Sequence, residues 1–193
     1  MPTLVEEEEV FKLATTLYHD GQFEQAFKLF LRLATDFNKG GSQRFVGWMY
    51  FCGEGVAKDI ERASYWFEMA ANRGDLESMF GAGRASLLRN DFESAFAWFK
   101  LACEQGFAPA CFRLGQMHEF GQGCKTEPDV AFRYYDKGYS DGNLAAGLAM
   151  ARQLLKGDKG QLNRIRGALM YAWLFILVCR VALNDSNSPR FLR

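Results

Sequence analysis

Few residues of this chain have the types and spacing that catalysis or metal binding requires. The 193 residues include five cysteines without a Cys-x-x-Cys pair, and two histidines, His19 and His118. Structural zinc needs four closely grouped ligands, so the sequence predicts no metal site. The motifs Ser-x-x-Lys, His-Glu-x-x-His, Gly-x-Ser-x-Gly and the phosphate-binding loop are also absent. We therefore expect no catalytic centre and no cofactor.

Each histidine stands beside an acidic residue, a pairing that could serve proton transfer. His19 precedes Asp20 in a predicted turn, and His118 precedes Glu119. The sequence offers no obvious nucleophile for either imidazole, and histidines without one are common on protein surfaces. Both are interpreted as surface or groove histidines.

The charge of the chain is balanced overall but uneven along its length. The formal net charge is zero, which argues against a general affinity for nucleic acid. Residues 1–36 hold seven acids and three bases, whereas residues 152–193 hold eight bases and two acids. The acidic run at residues 6–9 is interpreted as favourable charge at a helix N-terminus rather than a docking site. No basic stretch followed by an apolar one opens the sequence, so we expect a cytoplasmic location.

Small residues recur at regular intervals and indicate the elements that position these side chains. Gly47, Gly83, Gly115 and Ala151 follow one another at spacings of 36, 32 and 36 residues. Repetition at this period is typical of stacked helix pairs, in which each repeat contacts its neighbours. We call the first helix of each pair helix A and the second helix B. The sequence predicts one all-α domain over residues 1–183, followed by a polar tail at 184–193.

The second repeat illustrates the predicted pair. Its helices are expected at residues 42–52 and 59–72, separated by a glycine-containing turn, with Asp59 at the start of helix B. Ala63 is expected to face Gly47 where the two helices cross closely. The third repeat is shorter, since only twelve residues separate Gly83 from Ala95, so it is expected to have a tight polar turn like the first. Long glycine turns are predicted in the second, fourth and fifth repeats.

From about residue 8 to residue 183 these repeats resemble the Sel-1-like repeat family, and the first repeat is closer to a tetratricopeptide repeat. The fourth repeat matches the family pattern at Leu114, Gly115, Met117, Gly121, Gly123, Asp129, Ala131 and Tyr134. The second matches it at Gly47, Met49, Tyr50, Gly53, Gly55, Val56, Asp59, Ala63, Trp66, Ala70, Ala71, Gly74 and Asp75. The resemblance implies a right-handed α/α superhelix, or solenoid, of about five helix-turn-helix repeats.

The resemblance also implies a function: a non-catalytic adaptor that binds a peptide or protein on the concave face lined by the A helices. Trp48 is the sharpest candidate, because the equivalent positions of other repeats are polar. The alternative is that Trp48 packs beneath a neighbouring segment. The predicted partner-binding residues are Tyr18, Arg44, Trp48, Phe80, Arg84, Phe112, Gln116, Glu119 and Arg152. Arg44, Arg84 and Arg152 could together clamp an acidic peptide, although solvated arginines are the favoured interpretation.

Two further expectations come from the resemblance to a cysteine-rich branch of the same family. Members of that branch resemble weak β-lactam hydrolases or penicillin-binding proteins. Such an activity is therefore the alternative function for this chain. They also carry a disulfide between consecutive repeats with the spacing of Cys103 and Cys111. Because this chain has one such pair and no export signal is expected, reduced and buried thiols are the preferred interpretation.

The C-terminal segment is unusually apolar. Residues 168–179 contain no charged or polar side chain apart from a tyrosine hydroxyl, an indole and a thiol, and twelve residues are too few to span a membrane. The preferred interpretation is that the segment forms the core of the last repeat. It could instead bind a partner or a second copy, giving a homodimer, because terminal repeats normally carry a polar outer face. Contact with a membrane surface is the least favoured interpretation.

Overall fold

The computed structural model describes residues 4–156 and 161–184. Within these described ranges the chain forms ten α-helices and no strand. The helices are α1 (Leu4–His19), α2 (Phe23–Asp36), α3 (Gly40–Cys52), α4 (Ile60–Ala71), α5 (Leu76–Leu88), α6 (Phe92–Glu104), α7 (Ala108–Phe120), α8 (Pro128–Ser140), α9 (Leu144–Lys156) and α10 (Gln161–Asn184). The all-α fold class is confirmed. The predicted polar tail, apart from Asn184, lies outside the described residues.

Aspartates define where several helices begin. The carboxylate of Asp59 accepts a hydrogen bond from the backbone N–H of Arg62 at 2.9 Å, which caps α4 as predicted. Asp75 and Asp91 cap α5 and α6 in the same way. These side chains satisfy backbone N–H groups that have no partner within the helix. The predicted bounds of α3 and α4 agree with the structure to within two residues.

Two loop lengths alternate in the first four pairs, as the sequence predicts. Residues 53–59 and 121–127 form the long turns, and Gly53 and Gly121 end α3 and α7 in the left-handed conformation. Tight turns join α1 to α2 and α5 to α6. The long turn predicted for the fifth pair falls on residues 157–160, which lie outside the described residues.

Glycines on the A helices receive aromatic rings from the B helices. A Cβ atom on Gly47 would lie 2.7 Å from the Phe67 ring, and one on Gly83 would lie 2.6 Å from the Phe99 ring. Gly115 faces Tyr135 in the same way. The sequence predicts that Ala63 faces Gly47, but the group in contact is the ring one helical turn further on.

The contacts of the chain group it into two compact units, Met1–Gln105 and Gly106–Arg193. In the first unit, consecutive helices from α1 to α6 pack together, and α3 also contacts α5. In the second unit, consecutive helices from α7 to α10 pack together, and α7 also contacts α9. Phe30, Met49 and Phe67 lie in the core of the first unit, and Tyr135 and Met150 lie in that of the second. The single domain over residues 1–183 stays a prediction.

Most of the α10 side chains that the structure describes are exposed, so the preferred interpretation of the apolar segment, that it forms the core of the last repeat, is wrong for most of those residues. Gly167 and Leu174 are buried, and a Cβ on Gly167 would lie 2.8 Å from Leu154 of α9. Leu169, Trp173 and Ile176 are 56–67% exposed. Since α9 covers one face of α10, a helix that is apolar all round leaves apolar surface exposed. Across the described residues, no helix has the length and apolar character needed to cross a membrane.

Candidate functional site

The predicted binding residues fall on the A helices of both units, and we treat them as two faces. The first-unit face consists of Tyr18, Arg44, Trp48, Phe80 and Arg84, and the second-unit face consists of Phe112, Gln116, Glu119 and Arg152. Every one of these side chains is partly buried. None is a fully solvated surface residue, so their contacts decide what each can offer a partner.

Trp48 is half-buried at the centre of an aromatic cluster. Its ring meets Phe67 edge-on at a centroid separation of 4.9 Å, and Phe51 at 5.4 Å. Phe67 is fully buried and is the same ring that fills the space above Gly47. Trp48 therefore packs against the core with part of its surface while the remainder is exposed. Its role in binding a partner stays a prediction.

The guanidinium of Arg84 lies on this cluster. Its central carbon is 5.1 Å from the ring centroid of Trp48 and 4.7 Å from that of Phe51, within the range of cation–π attraction. Arg84 comes from α5, whereas both rings come from α3, so the contact joins two adjacent A helices. The arrangement fixes a positive charge beside a partly exposed aromatic surface.

The other residues of the first-unit face are held by contacts within the chain. Arg44 forms ion pairs with Asp75 at 3.0 Å and with Glu77 at 3.2 Å. The Tyr18 hydroxyl donates to Glu54 at 2.6 Å, and Phe80 packs on Phe99. Arg44 already pairs with two carboxylates of the chain through Nη1, so an acidic peptide would share this guanidinium with them.

Glu119 is the centre of a hydrogen-bonded network on the second-unit face. It accepts from Arg152 with both carboxylate oxygens, at 2.9 and 2.7 Å, and from the Tyr135 hydroxyl at 2.6 Å. The three residues come from α7, α9 and α8, so the network ties three helices together. Two of the three arginines in the predicted clamp, Arg44 and Arg152, already bind carboxylates of the chain itself.

Tyr135 is fully buried, and its surroundings favour the neutral phenol. Burial, followed by the hydrogen bond to Glu119, raises the pKa of Tyr135 well above its usual range. Phe112 packs on the same ring at 5.8 Å, and Gln116 accepts a hydrogen bond from Arg113 at 3.0 Å. These contacts hold the second-unit face in place, and the Tyr135 hydroxyl keeps its proton at neutral pH.

A groove of about 910 Å³ opens within the second unit, which the sequence interpretation did not find. Its walls come from α8, α9 and α10, and Glu119 of α7 also lines it. Phe132, Met150 and Leu169 contribute apolar surface, and Asp136 and Arg166 contribute charge. The groove depends on where α10 lies against α8 and α9, and no spacing in the sequence fixes that position.

His118 and Cys124 form a pair that the sequence interpretation also missed. His118 is 8% exposed, so the prediction of a surface or groove histidine is wrong for this residue. The Cys124 sulfur lies 3.6 Å from its Nδ1, and the Tyr134 ring stacks on the imidazole. Burial, and then the charge of Glu127, raise the pKa of the Cys124 thiol, the opposite of what an activated nucleophile needs.

The remaining cysteines and titratable groups give no metal site. Among the residues that the structure describes, no cluster of three or more His, Cys, Asp or Glu side chains could hold a metal ion. Cys103 and Cys111 are 2% and 0% exposed, which agrees with the predicted burial. Their redox state, including the disulfide implied by the family resemblance, stays a prediction.

Comparison with known protein families matches the sequence profile of the Sel1 repeat at residues 41–75, 78–107 and 108–143, more than half of the chain. A comparison with curated proteins gives no significant match.

Several solved structures share the fold. A Sel1 repeat protein from Oxalobacter formigenes is 25% identical and superposes with a TM-score of 0.72, covering 86% of this chain and 72% of that protein. The protective antigen c5321, present in uropathogenic Escherichia coli strains and displaying an SLR fold, is 24% identical with the same TM-score. The match covers 86% of this chain but 38% of c5321. MamA has a TM-score of 0.63 at 15% identity, with 88% of this chain and 96% of MamA covered.

Proposed function

Because the chain belongs to the Sel1 repeat family, we propose that it is a non-catalytic scaffold that binds a peptide or protein segment through its A helices. The observation that carries the proposal is the Arg84 guanidinium lying on the partly exposed Trp48 ring. Aromatic residues and arginine are enriched among the side chains that contribute most to protein binding. A partner with an apolar anchor beside a carboxylate would fit this pair.

The second-unit face supports the same proposal in a different way. Glu119 and Arg152 form a charged pair in which Nη2 of Arg152 donates to both carboxylate oxygens, whereas the buried Nε of Arg152 has no hydrogen-bond partner. The pair lies next to a groove with an apolar lining. A partner can use such a pair for orientation, while apolar contact supplies most of the affinity. We therefore assign the main anchoring role to the first-unit face and a supporting role to the second-unit face.

An affinity capture from the native cell tests the first-unit face. We expect Arg84→Glu to reduce recovery of the partner, because it reverses the charge beside Trp48. Lys100→Glu is the matched control, since this substitution makes the same change of charge on the exposed side of α6. Equal recovery with both variants would remove Arg84 from the binding face.

The proposal also covers the cellular location of the protein and the chemical class of its partner. We place the protein in the cytoplasm, as the sequence predicts. The balanced charge argues against nucleic acid as the partner. Cell fractionation with an antibody against the full chain tests the location, and recovery in an exported fraction would contradict it.

We further propose that the chain associates with itself through α10, as the sequence allows. Thirteen large hydrophobic side chains are exposed among the described residues, and seven of them lie on this one helix. Isolated exposed apolar residues are normal, but a contiguous group of this size is typical of an interaction surface.

A further inference from the structure

The exposed apolar residues of α10 include a stripe with a symmetric spacing. The stripe consists of Leu162, Ile165, Leu169, Trp173 and Ile176, each 55–71% exposed. The intervals between them are 3, 4, 4 and 3 residues, which read the same in both directions along the helix. At 3.6 residues per turn the five side chains fall within roughly 80° of arc, away from the side on which Gly167 and Leu174 are buried.

We infer that α10 pairs with α10 of a second copy in antiparallel orientation, with Leu169 of the two copies meeting on the twofold axis. This inference rests on the self-association proposed above and specifies its geometry. A twofold interface requires a patch that is complementary to itself when reversed. Around Leu169, antiparallel pairing sets Leu162 against Ile176 of the second copy, and Ile165 against Trp173 of the second copy.

The charges of α10 also favour the antiparallel orientation over the parallel one. The helix contains three arginines and no acidic residue, and Arg166 is exposed beside the stripe. Parallel pairing would place Arg166 beside the Arg166 of the second copy. Antiparallel pairing separates the two Arg166 residues by about 9 Å along the axis, given a rise of 1.5 Å per residue. Like charges then repel less.

The size of the stripe agrees with a pair of identical helices. Five large side chains from each of two copies amount to roughly 1,000 Å² of buried surface, the size at which an interface becomes specific. The spacing of 3 and 4 residues is also that of the seam between paired helices. Weak interactions are common at this lower end of the size range, so the measurement covers about 1 to 100 µM.

Light scattering of the full chain gives the first readout, with a matched pair of variants. We expect the mass to approach twice 21.9 kDa as the concentration rises. Trp173→Glu should raise the dissociation constant at least about tenfold, because it places a charge in the seam. Phe175→Glu is the control, since Phe175 is exposed by 58% and Trp173 by 56%, but Phe175 lies about a third of a turn away from the stripe.

Cysteine cross-linking gives the second readout and distinguishes the orientation. Cys52, Cys124 and Cys179 are first replaced by serine, and disulfide formation is then followed under mild oxidation. Leu169→Cys should cross-link with itself, whereas Leu162→Cys should not, because its copies lie about 21 Å apart along the axis. A mixture of Leu162→Cys and Ile176→Cys chains should form the heterodimer.

Each outcome decides a separate point. A monomer at all concentrations would overturn both the self-association and the antiparallel geometry, and binding of that monomer to lipid vesicles would assign the stripe to a membrane surface. A dimer in which Leu162→Cys cross-links with itself would overturn the antiparallel geometry alone. A dimer that tolerates Trp173→Glu as well as Phe175→Glu would show that the stripe is not the interface. None of these readouts depends on the partner of the first-unit face.

Discussion

At the scale of single residues, the first-unit face shows how one side chain can serve both packing and binding. Trp48 contacts the buried Phe67 ring with one part of its surface and supports the guanidinium of Arg84 with another. Packing fixes the orientation of the indole before a partner arrives. Binding then costs less conformational entropy of the Trp48 side chain than it would if the indole were mobile.

Trp48→Ala is expected to destabilise the protein as well as weaken binding. Removing the indole takes away its contacts with Phe51 and Phe67, which should lower the free energy of unfolding by about 2–4 kcal/mol. Tyr65→Ala, at a ring that is 58% exposed, should change it by less than about 0.5 kcal/mol. Denaturant titration measures both, and an equally small effect at Trp48 would contradict the packing described here.

Tyr135 gives a prediction on pH. Because its pKa is raised in the folded protein, the unfolded chain loses the phenolic proton at a lower pH than the folded chain. The contribution of Tyr135 to stability is therefore fully present below about pH 10, and decreases as the pH rises beyond that value. The difference in unfolding free energy between wild type and Tyr135→Phe should shrink between about pH 9 and pH 11.

Comparing the two proteins at each pH cancels the titration of all other groups that they share. Denaturant titrations across this range measure the difference directly. A difference that stays constant with pH would show that Tyr135 titrates at the same pH in the folded and unfolded protein.

Sequence reasoning could locate these residues but could not assign their contacts. The repeat register placed Trp48 and Arg84 on A helices, because side chains three and four residues apart share a helix face. It could not show that Arg44 pairs with Asp75, since two residues 31 positions apart meet only through the packing of different helices. The same holds for Glu119 and Arg152, which are 33 positions apart.

At the scale of helices, close approach between A and B helices is the main structural requirement of the repeat. Gly83 on α5 accommodates the Phe99 ring of α6, and Gly47 accommodates Phe67. The ring replaces the missing side chain, so each glycine and its aromatic partner form one packing unit. This explains why small residues recur at a fixed position in the sequence.

Gly83→Ala tests this requirement. Its new Cβ would lie 2.6 Å from the Phe99 ring, so the ring or the helix must shift, and the free energy of unfolding should fall by about 1–3 kcal/mol. Gly40→Ala is the control, because its Cβ would meet Arg73 at an ordinary 3.5 Å. We expect that control to be neutral or slightly stabilising. Equal thermal stability of the two variants would contradict the close crossing.

The helix bounds and most loop lengths could be predicted because capping residues and glycines act locally. Asp59 caps α4 and Asn90 has a positive φ of 59° in the tight turn, both within a few residues of the helix that they end or begin. The exposure of α10 could not be predicted in this way. Its apolar sequence is equally compatible with a covered and an uncovered helix, and only the position of α9 decides which face is buried.

At the scale of the whole molecule, the β-lactam hydrolase alternative concerns the groove of the second unit and the Cys124 thiol. The residues that line the groove include no serine, cysteine or histidine in the part of the chain that the structure describes. The Cys124 thiol near His118 has a raised pKa, which disfavours the thiolate.

A chromogenic β-lactam assay tests that alternative directly. We expect no turnover above buffer for the full chain, because neither the groove nor the Cys124 pair offers an activated nucleophile. Turnover that is lost in Glu119→Gln, a variant that changes the groove without removing its apolar lining, would contradict the non-catalytic assignment.

Binding at the first-unit face is the central claim, and the indole N–H resonances of the chain test it most directly. The protein contains four tryptophans, including Trp48 on this face and Trp173 on the α10 stripe. Titration of isotope-labelled protein with a captured partner segment should shift and broaden the Trp48 indole signal while the Trp173 signal is unchanged. An unchanged Trp48 signal at saturation, or a shift confined to Trp173, would contradict the assignment of the first-unit face as the binding site.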